Sequence, residues 1–265
     1  MELGLKGRSA LVTGSTAGIG FATARALARE GAHVIVNGRS VERVAQAVER
    51  IKADAPGSEV RGAAADLSTA AGVEGLIAQV GPQLDILVNN AGIFEPKPFE
   101  DIPDAEWFSF FETNVMSGVR LARAWFPGML ERNAGRIIFV SSESARQIPV
   151  EMIHYGMTKS AQLAIARGLA ERTRGTNVTV NSVLPGPTSS EGVSEFVKQM
   201  GAQRGLSEAE MEHEFFASAR PSSLLQRFIT PDEVANMIVY IASSAASATS
   251  GSAVLVDGGV VRSVT

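Results

Sequence analysis

The chain has 265 residues, 45% of them hydrophobic and 20% charged, so it can bury a full core and is not a disordered sequence. A count of 24 basic against 28 acidic residues gives a formal charge of -4, which draws it to neither nucleic acid nor an anionic membrane. The absence of cysteine excludes disulfides, thiolate catalysis and Cys-ligated zinc, and it fits a cytoplasmic location.

Met1–Thr13 reads as neither a secretory signal nor a membrane span. The segment Ala10–Thr13 is then the first of seven short, β-branched, nearly continuous apolar runs. The others are His33–Val36, Val60–Ala65, Asp85–Val88, Arg136–Val140, Val178–Val183 and Ala253–Val256. Continuous rather than alternating apolarity marks strands covered on both faces. Between them the spacing predicts helices over 18–30, 41–53, 69–80, about 105–132, 155–174 and 231–243. The last starts sharply, with Thr230 as N-cap, Pro231 at the first helical position and Glu233 closing a capping box. This alternation predicts one α/β domain over 1–265, a doubly wound parallel sheet of about seven strands with helices on both faces. A polar segment at 187–229 interrupts it. That segment carries its own capping signal, Ser207 to Glu210, and reads as an insertion walling a substrate.

The first strand runs straight into Thr13-Gly14-Ser15-Thr16-Ala17-Gly18-Ile19-Gly20, which opens the first helix. Glycines there allow a tight turn and close approach of backbone to a phosphate, and the helix start offers N–H groups and a positive dipole end to a pyrophosphate. Gly14, Ser15, Thr16, Gly18, Ile19 and Gly20 are therefore candidate dinucleotide contacts. At the end of the second strand, where an NAD enzyme places an acid for the ribose 2′-hydroxyl, the chain has Asn37-Gly38-Arg39-Ser40. A guanidinium flanked by amide and hydroxyl donors suits a 2′-phosphate, so Asn37, Arg39 and Ser40 favour NADP(H) over NAD(H). The histidines at 33, 154 and 213 are too scattered for a metal site, and none is expected.

Tyr155 and Lys159 stand four apart, on one face of a predicted helix. An ammonium beside a phenol favours the phenolate and lowers its pKa, which would fit Tyr155 for proton transfer to or from a carbonyl oxygen. Ser142, thirteen residues earlier at a strand end, can hydrogen-bond that oxygen as charge develops, with Ser141 a competitor for the part. His154, adjacent to Tyr155 but about 100° around the helix, reads as a surface or wall residue.

TGSTAGIG at 13–20, Asn89-Asn90-Ala91-Gly92, Ser142, Tyr155-Gly156-Met157-Thr158-Lys159, Asn181, Pro185-Gly186 and Asp257-Gly258-Gly259 occur in this order. Together they closely resemble the short-chain dehydrogenase/reductase family, in its common single-domain branch, over essentially the whole chain. The resemblance selects Ser142 over Ser141, gives Lys159 a second role on the nicotinamide ribose, and gives Asn114 the task of holding a proton-relaying water. It places Ile19 beside the nicotinamide, Asp66 and Leu67 at the adenine, Asn90 and Gly92 under the adenosine ribose, and Pro185, Gly186, Thr188 and Ser190 around the carboxamide and pyrophosphate. The sequence is similar to oxidoreductases of the 3-oxoacyl-carrier-protein reductase type, although no clear basic patch for a carrier protein is visible. It implies an NAD(P)-dependent enzyme exchanging hydride with a small-molecule ketone or secondary alcohol, assembled as a homotetramer or homodimer. Two alternatives stand beside this reading: a non-catalytic dinucleotide sensor, which has no need of the phenol, and an NAD-linked alcohol dehydrogenase working oxidatively.

Overall fold

The computed structural model of the chain describes residues 2–189 and 206–264. Seven strands, β1 (Ser9–Val12), β2 (His33–Gly38), β3 (Val60–Ala64), β4 (Ile86–Asn89), β5 (Gly135–Val140), β6 (Val178–Pro185) and β7 (Ala253–Val256), form one sheet. Its order is β3-β2-β1-β4-β5-β6-β7 and every pairing is parallel. The described helices are α1 (Gly18–Arg29), α2 (Val41–Asp54), α3 (Ala70–Val80), α4 (Asp104–Phe111), α5 (Ser117–Glu131), α6 (Ile153–Glu171), α7 (Glu208–Ser218) and α8 (Pro231–Ala242).

Alternate side chains of each strand enter opposite cores. Ala10, Val12, Val36, Val88 and Ile138 pack with Leu27 of α1, Ile51 of α2 and Ile238 of α8. On the other face Leu11, Ile35, Leu87, Ile137 and Phe139 pack with Leu76 of α3, Trp125 and Met129 of α5 and Ala166 of α6. Each large apolar side chain so buried contributes about 1.5–3 kcal/mol, which explains the unbroken apolarity of the strands. Both capping boxes form. Thr230 accepts from the Glu233 N–H (3.2 Å) while the Glu233 carboxylate accepts from the Thr230 N–H (2.8 Å), and Ser207 and Glu210 do the same at α7.

The sheet leaves β1 toward β2 and β3, then returns past β1 to β4. The reversal opens a crevice at the C-terminal ends of β1 and β4, the ligand position of such sheets. One helix departs from expectation. The run predicted at about 105–132 is broken at Glu112–Met116 by a π-turn between α4 and α5. The extra residue is accommodated there because Asn114 turns inward and bonds outside its own helix. Of the 187–229 segment, residues 190–205 lie outside the described residues. Thr188 bridges Ile229, and α7 follows as a helix of its own.

Candidate active site

The loop after β1 is held by its own residues. Gly14 takes φ +59°, and a Cβ there would stand 3.0 Å from the Ala91 backbone. At Gly20 a Cβ would come 2.4 Å from the Gly14 carbonyl, so only glycine lets the loop fold onto the start of α1. Helix α1, from Gly18 onward, has Ala17 at its N-cap, no side-chain cap and no acid in its first turn. The orphan N–H groups of that turn suit an anion. Thr16 and Ile19 are half-buried at this rim.

Several predicted contact side chains turn inward instead. The Ser15 hydroxyl donates to the Val12 carbonyl (2.7 Å) and accepts from the Asn37 N–H (3.0 Å). Asn37 is buried; its amide donates to the Ala63 carbonyl (3.0 Å) and accepts from the Gly14 N–H (3.3 Å). Ser40 caps α2, accepting from the Arg43 N–H (3.2 Å) and donating to Glu42 (2.6 Å). These side chains brace the turn, and Arg39, exposed at the rim, is the cation of the β2 end. Asp66, also exposed, accepts from the Ser68 N–H (3.0 Å); that bond and, more weakly, Arg39 hold its carboxyl below the usual range. Leu67 is core. Asn90 donates to the carbonyls of Thr13 (2.9 Å) and Gly14 (3.1 Å), again a brace. Pro185 ends β6 and Gly186 abuts the Asp257 backbone; the Thr188 hydroxyl donates to the Gly186 carbonyl (2.9 Å). Ser190 lies outside the described residues.

At the end of β5, Ser142 is buried and Ser141 turns away, donating to the Lys159 carbonyl (2.9 Å). The structure brings Ser142 near Tyr155 across the start of α6, close enough to draw the phenol's pKa down. Phe94 packs edge-on to the Tyr155 ring, with centroids 6.3 Å apart. Lys159 is buried, its Nζ donating to the Val140 carbonyl (3.0 Å) and reaching Gln162 Oε1 (3.4 Å). No carboxylate pairs with it among the described residues, and burial pushes its pKa down to about 8. Gly92 lies beside Asn114 and Lys159. Both ends of the Asn114 amide are taken: Oδ1 accepts from the Ile93 N–H (2.7 Å), and Nδ2 donates to the Ile93 carbonyl (2.9 Å) and Thr158 Oγ1 (3.0 Å). Gln162 donates to its main-chain carbonyl (2.6 Å). The side chain thus ties α5, α6 and the Ile93 loop together.

The phenol departs from the expectation of a lysine-lowered pKa. Burial first, then the charge of Glu143, raises Tyr155 above its ordinary value, while Ser142 and Arg220 pull it down. Lys159 Nζ is 5.5 Å from the ring centroid and directed at Val140. Sequence reasoning gave Glu143 only a place among the polar residues of the substrate wall, and Arg220 none. Glu143 was visible as a polar residue after Ser142, but Arg220 is 77 positions away and no spacing rule connects them. His154 is a further correction: it is fully buried, 4.0 Å from the Phe110 ring and 3.3 Å from Glu106, away from the reaction site. A cavity of about 490 Å³ lined by Ser9, His33 and Val60 lies at the opposite end of the sheet and contains none of these residues.

The short chain dehydrogenase family model matches residues 8–201. This chain belongs to the short-chain dehydrogenases. It is an oxidoreductase, and similar to the uncharacterized oxidoreductase YvaG of Bacillus subtilis, with 49% identity over 264 residues and both chains covered in full. D-beta-hydroxybutyrate dehydrogenase of Cupriavidus necator is 34% identical over 260 residues, covering 97% of this chain and 99% of its own. The crystal structure of L-sorbose reductase from Gluconobacter frateurii, complexed with NADPH and L-sorbose, matches with a TM-score of 0.92 and 33% identity over 100% of both chains.

In this short-chain dehydrogenase the buried Lys159 lowers stability. Its folded pKa of about 8 lies below the ordinary 10.5, so the unfolded chain binds more protons between those values. The penalty is therefore full below pH 8 and fades as pH rises through that window. Lys159→Met should unfold at higher denaturant concentration than the parent at pH 7, with the gap narrowing toward pH 10.5. Equal midpoints at pH 7 contradict this.

Proposed function

We propose that the enzyme interconverts a ketone and a secondary alcohol, using NADP(H) in preference to NAD(H), with Tyr155 as acid and base. The observation that carries this reading is the meeting of Ser142 and Tyr155 beside Lys159, on the sheet whose first glycine loop offers an uncapped helix start. When bound, the nicotinamide supplies or takes the hydride. Tyr155 gives its hydroxyl proton to the carbonyl oxygen in reduction and takes it back in oxidation. Ser142, on turning its proton from Glu143 to the substrate, stabilises the charge developing on that oxygen. Lys159 holds the ribose and, once protonated, favours the phenolate. Asn114 holds the Ile93 loop and α6 in register, and its role in water relay remains part of this proposal.

The loop Gly14–Gly20, Asn90, Gly92, Pro185, Gly186 and Thr188 would hold the dinucleotide, chiefly through backbone. Arg39 would take the 2′-phosphate; no acid occupies the end of β2, and the sorbose reductase was crystallised with NADPH. Exposed Phe94, Ile148 and Val150 would wall an apolar part of the substrate, closed by residues of 187–229. A chain free of cysteine suits the cytoplasm. Phe108 and Phe111 of α4 are exposed, 74% and 39%, an apolar surface that a homotetramer would cover.

Tyr155→Phe should keep NADPH binding while losing roughly 10²–10⁴ of turnover in a ketone screen followed by nicotinamide absorbance. Arg39→Ala should weaken NADPH roughly 10- to 100-fold by titration, through loss of a charge-assisted bond, and leave NADH unchanged. Equal weakening of both reduced cofactors removes the 2′-phosphate assignment. Size-exclusion chromatography with light scattering should give four times the 27.9 kDa chain mass; a monomer overturns the assembly.

A further inference from the structure

Glu143 is a carboxylate buried next to the proposed proton donor, 5% exposed. Its Oε2 accepts from the Ser142 hydroxyl (2.5 Å), the Ser144 N–H (2.8 Å) and the Ser144 hydroxyl (3.0 Å). Its Oε1 accepts from Arg220 Nε (3.1 Å). Arg220, 8% exposed, comes from just beyond α7 and also donates to Glu151 (3.0 Å) and to its neighbour's carbonyl at Ala219 (2.8 Å). An isolated charge at such depth is strongly disfavoured, so each member of this pair depends on the other.

The geometry has two consequences for the reaction. A hydroxyl has one proton: Ser142 points it at Glu143 Oε2 while its oxygen accepts from the Ser144 N–H (3.1 Å), so Glu143 sets the direction of that hydroxyl until substrate takes its proton. The second is that a fixed negative charge and a fixed positive one both act on the phenol. We infer that Glu143, held by Arg220, is a positioning residue of the catalytic centre: it orients the Ser142 hydroxyl and imposes its charge on Tyr155. This rests on the reading of Tyr155 as acid and base.

The direction of each influence supports it: Glu143 raises the Tyr155 pKa and Arg220 opposes it. Lys159 is the further cation near the ring, on the same helix. Glu151 reaches Arg220, and His154 points the other way, to Glu106, Trp107 and Phe110. A carboxylate that merely stiffened the turn after β5 would affect stability and leave the phenol's ionisation alone.

The chain has two tyrosines, so a Tyr240→Phe background makes Tyr155 the one phenol, and tyrosinate absorbance in the NADP⁺ complex reports it directly. Glu143→Gln should ionise about one pH unit lower than the background, and Arg220→Gln about one unit higher. Glu143→Asp, which keeps the charge, should return toward the background. Thermal denaturation and NADP⁺ titration establish which variants are folded; if Arg220→Gln is not, the Gln and Asp variants at 143 decide the matter. Coincident curves, shifts of the same sign for the two partners, or no tyrosinate in Glu143→Gln before unfolding overturn the inference. The outcome is independent of turnover. Loss of the acid–base reading would show separately, as activity retained in Tyr155→Phe.

Discussion

The site depends on the way the ends of β1 and β4 are tied. Thr13 Oγ1 accepts from the N–H groups of Asn90 and Ala91, both at 2.9 Å, while Asn90 donates back to the carbonyls of Thr13 and Gly14. A reversal of strand order leaves a gap between adjacent connections, and these bonds satisfy the backbone groups that line it. They fix the glycine turn before any ligand arrives. Asn37 and Ser15 extend the lacing to β2. Three side chains that look like ligand contacts thus form the frame on which backbone N–H groups are presented.

A second lattice of buried polar groups surrounds the proposed proton donor. Lys159 is desolvated with carbonyl and amide partners in place of a counter-ion, whereas Glu143 has a guanidinium and a serine turn. Asn114 joins the two regions through Ile93 and Thr158. Burial at this level is costly in free energy, and it is the usual mark of a functional site, where groups are kept ready at the expense of stability. The proposed substrate side differs in kind, with Phe94, Ile148 and Val150 exposed.

The fold was legible because its signals are local. Continuous apolar runs marked all seven strands within a residue or two, and Thr230-Pro231 with Glu233 marked the start of α8 through chemistry confined to one turn. The Tyr155–Lys159 spacing and the glycine turn were legible for the same reason. The features that escaped depend on partners distant in the chain. Whether Asn37 faces a phosphate or the Ala63 carbonyl is decided by β3, and the charge felt by Tyr155 is decided by Arg220. His154 went inward because Phe110 and Trp107 form a slot for its ring. An inserted residue in a helix leaves no gap in its pattern, so the break at Glu112–Met116 was also hidden.

That inserted residue reaches beyond Asn114. One extra position in a helix rotates the turns on its N-terminal side by about 100° relative to those on its C-terminal side. Without it, the buried stripe of α5, through Leu121 and Gly118, would continue to Phe111; with it, Phe110 occupies the interior and Phe111 and Phe108 swing to the outside. A single local offset therefore aims an amide at Ile93 and Thr158 and aromatic rings at the solvent. Inner geometry and outer stickiness are mechanically geared to each other, and a deletion that ironed out the coil would disengage both at once.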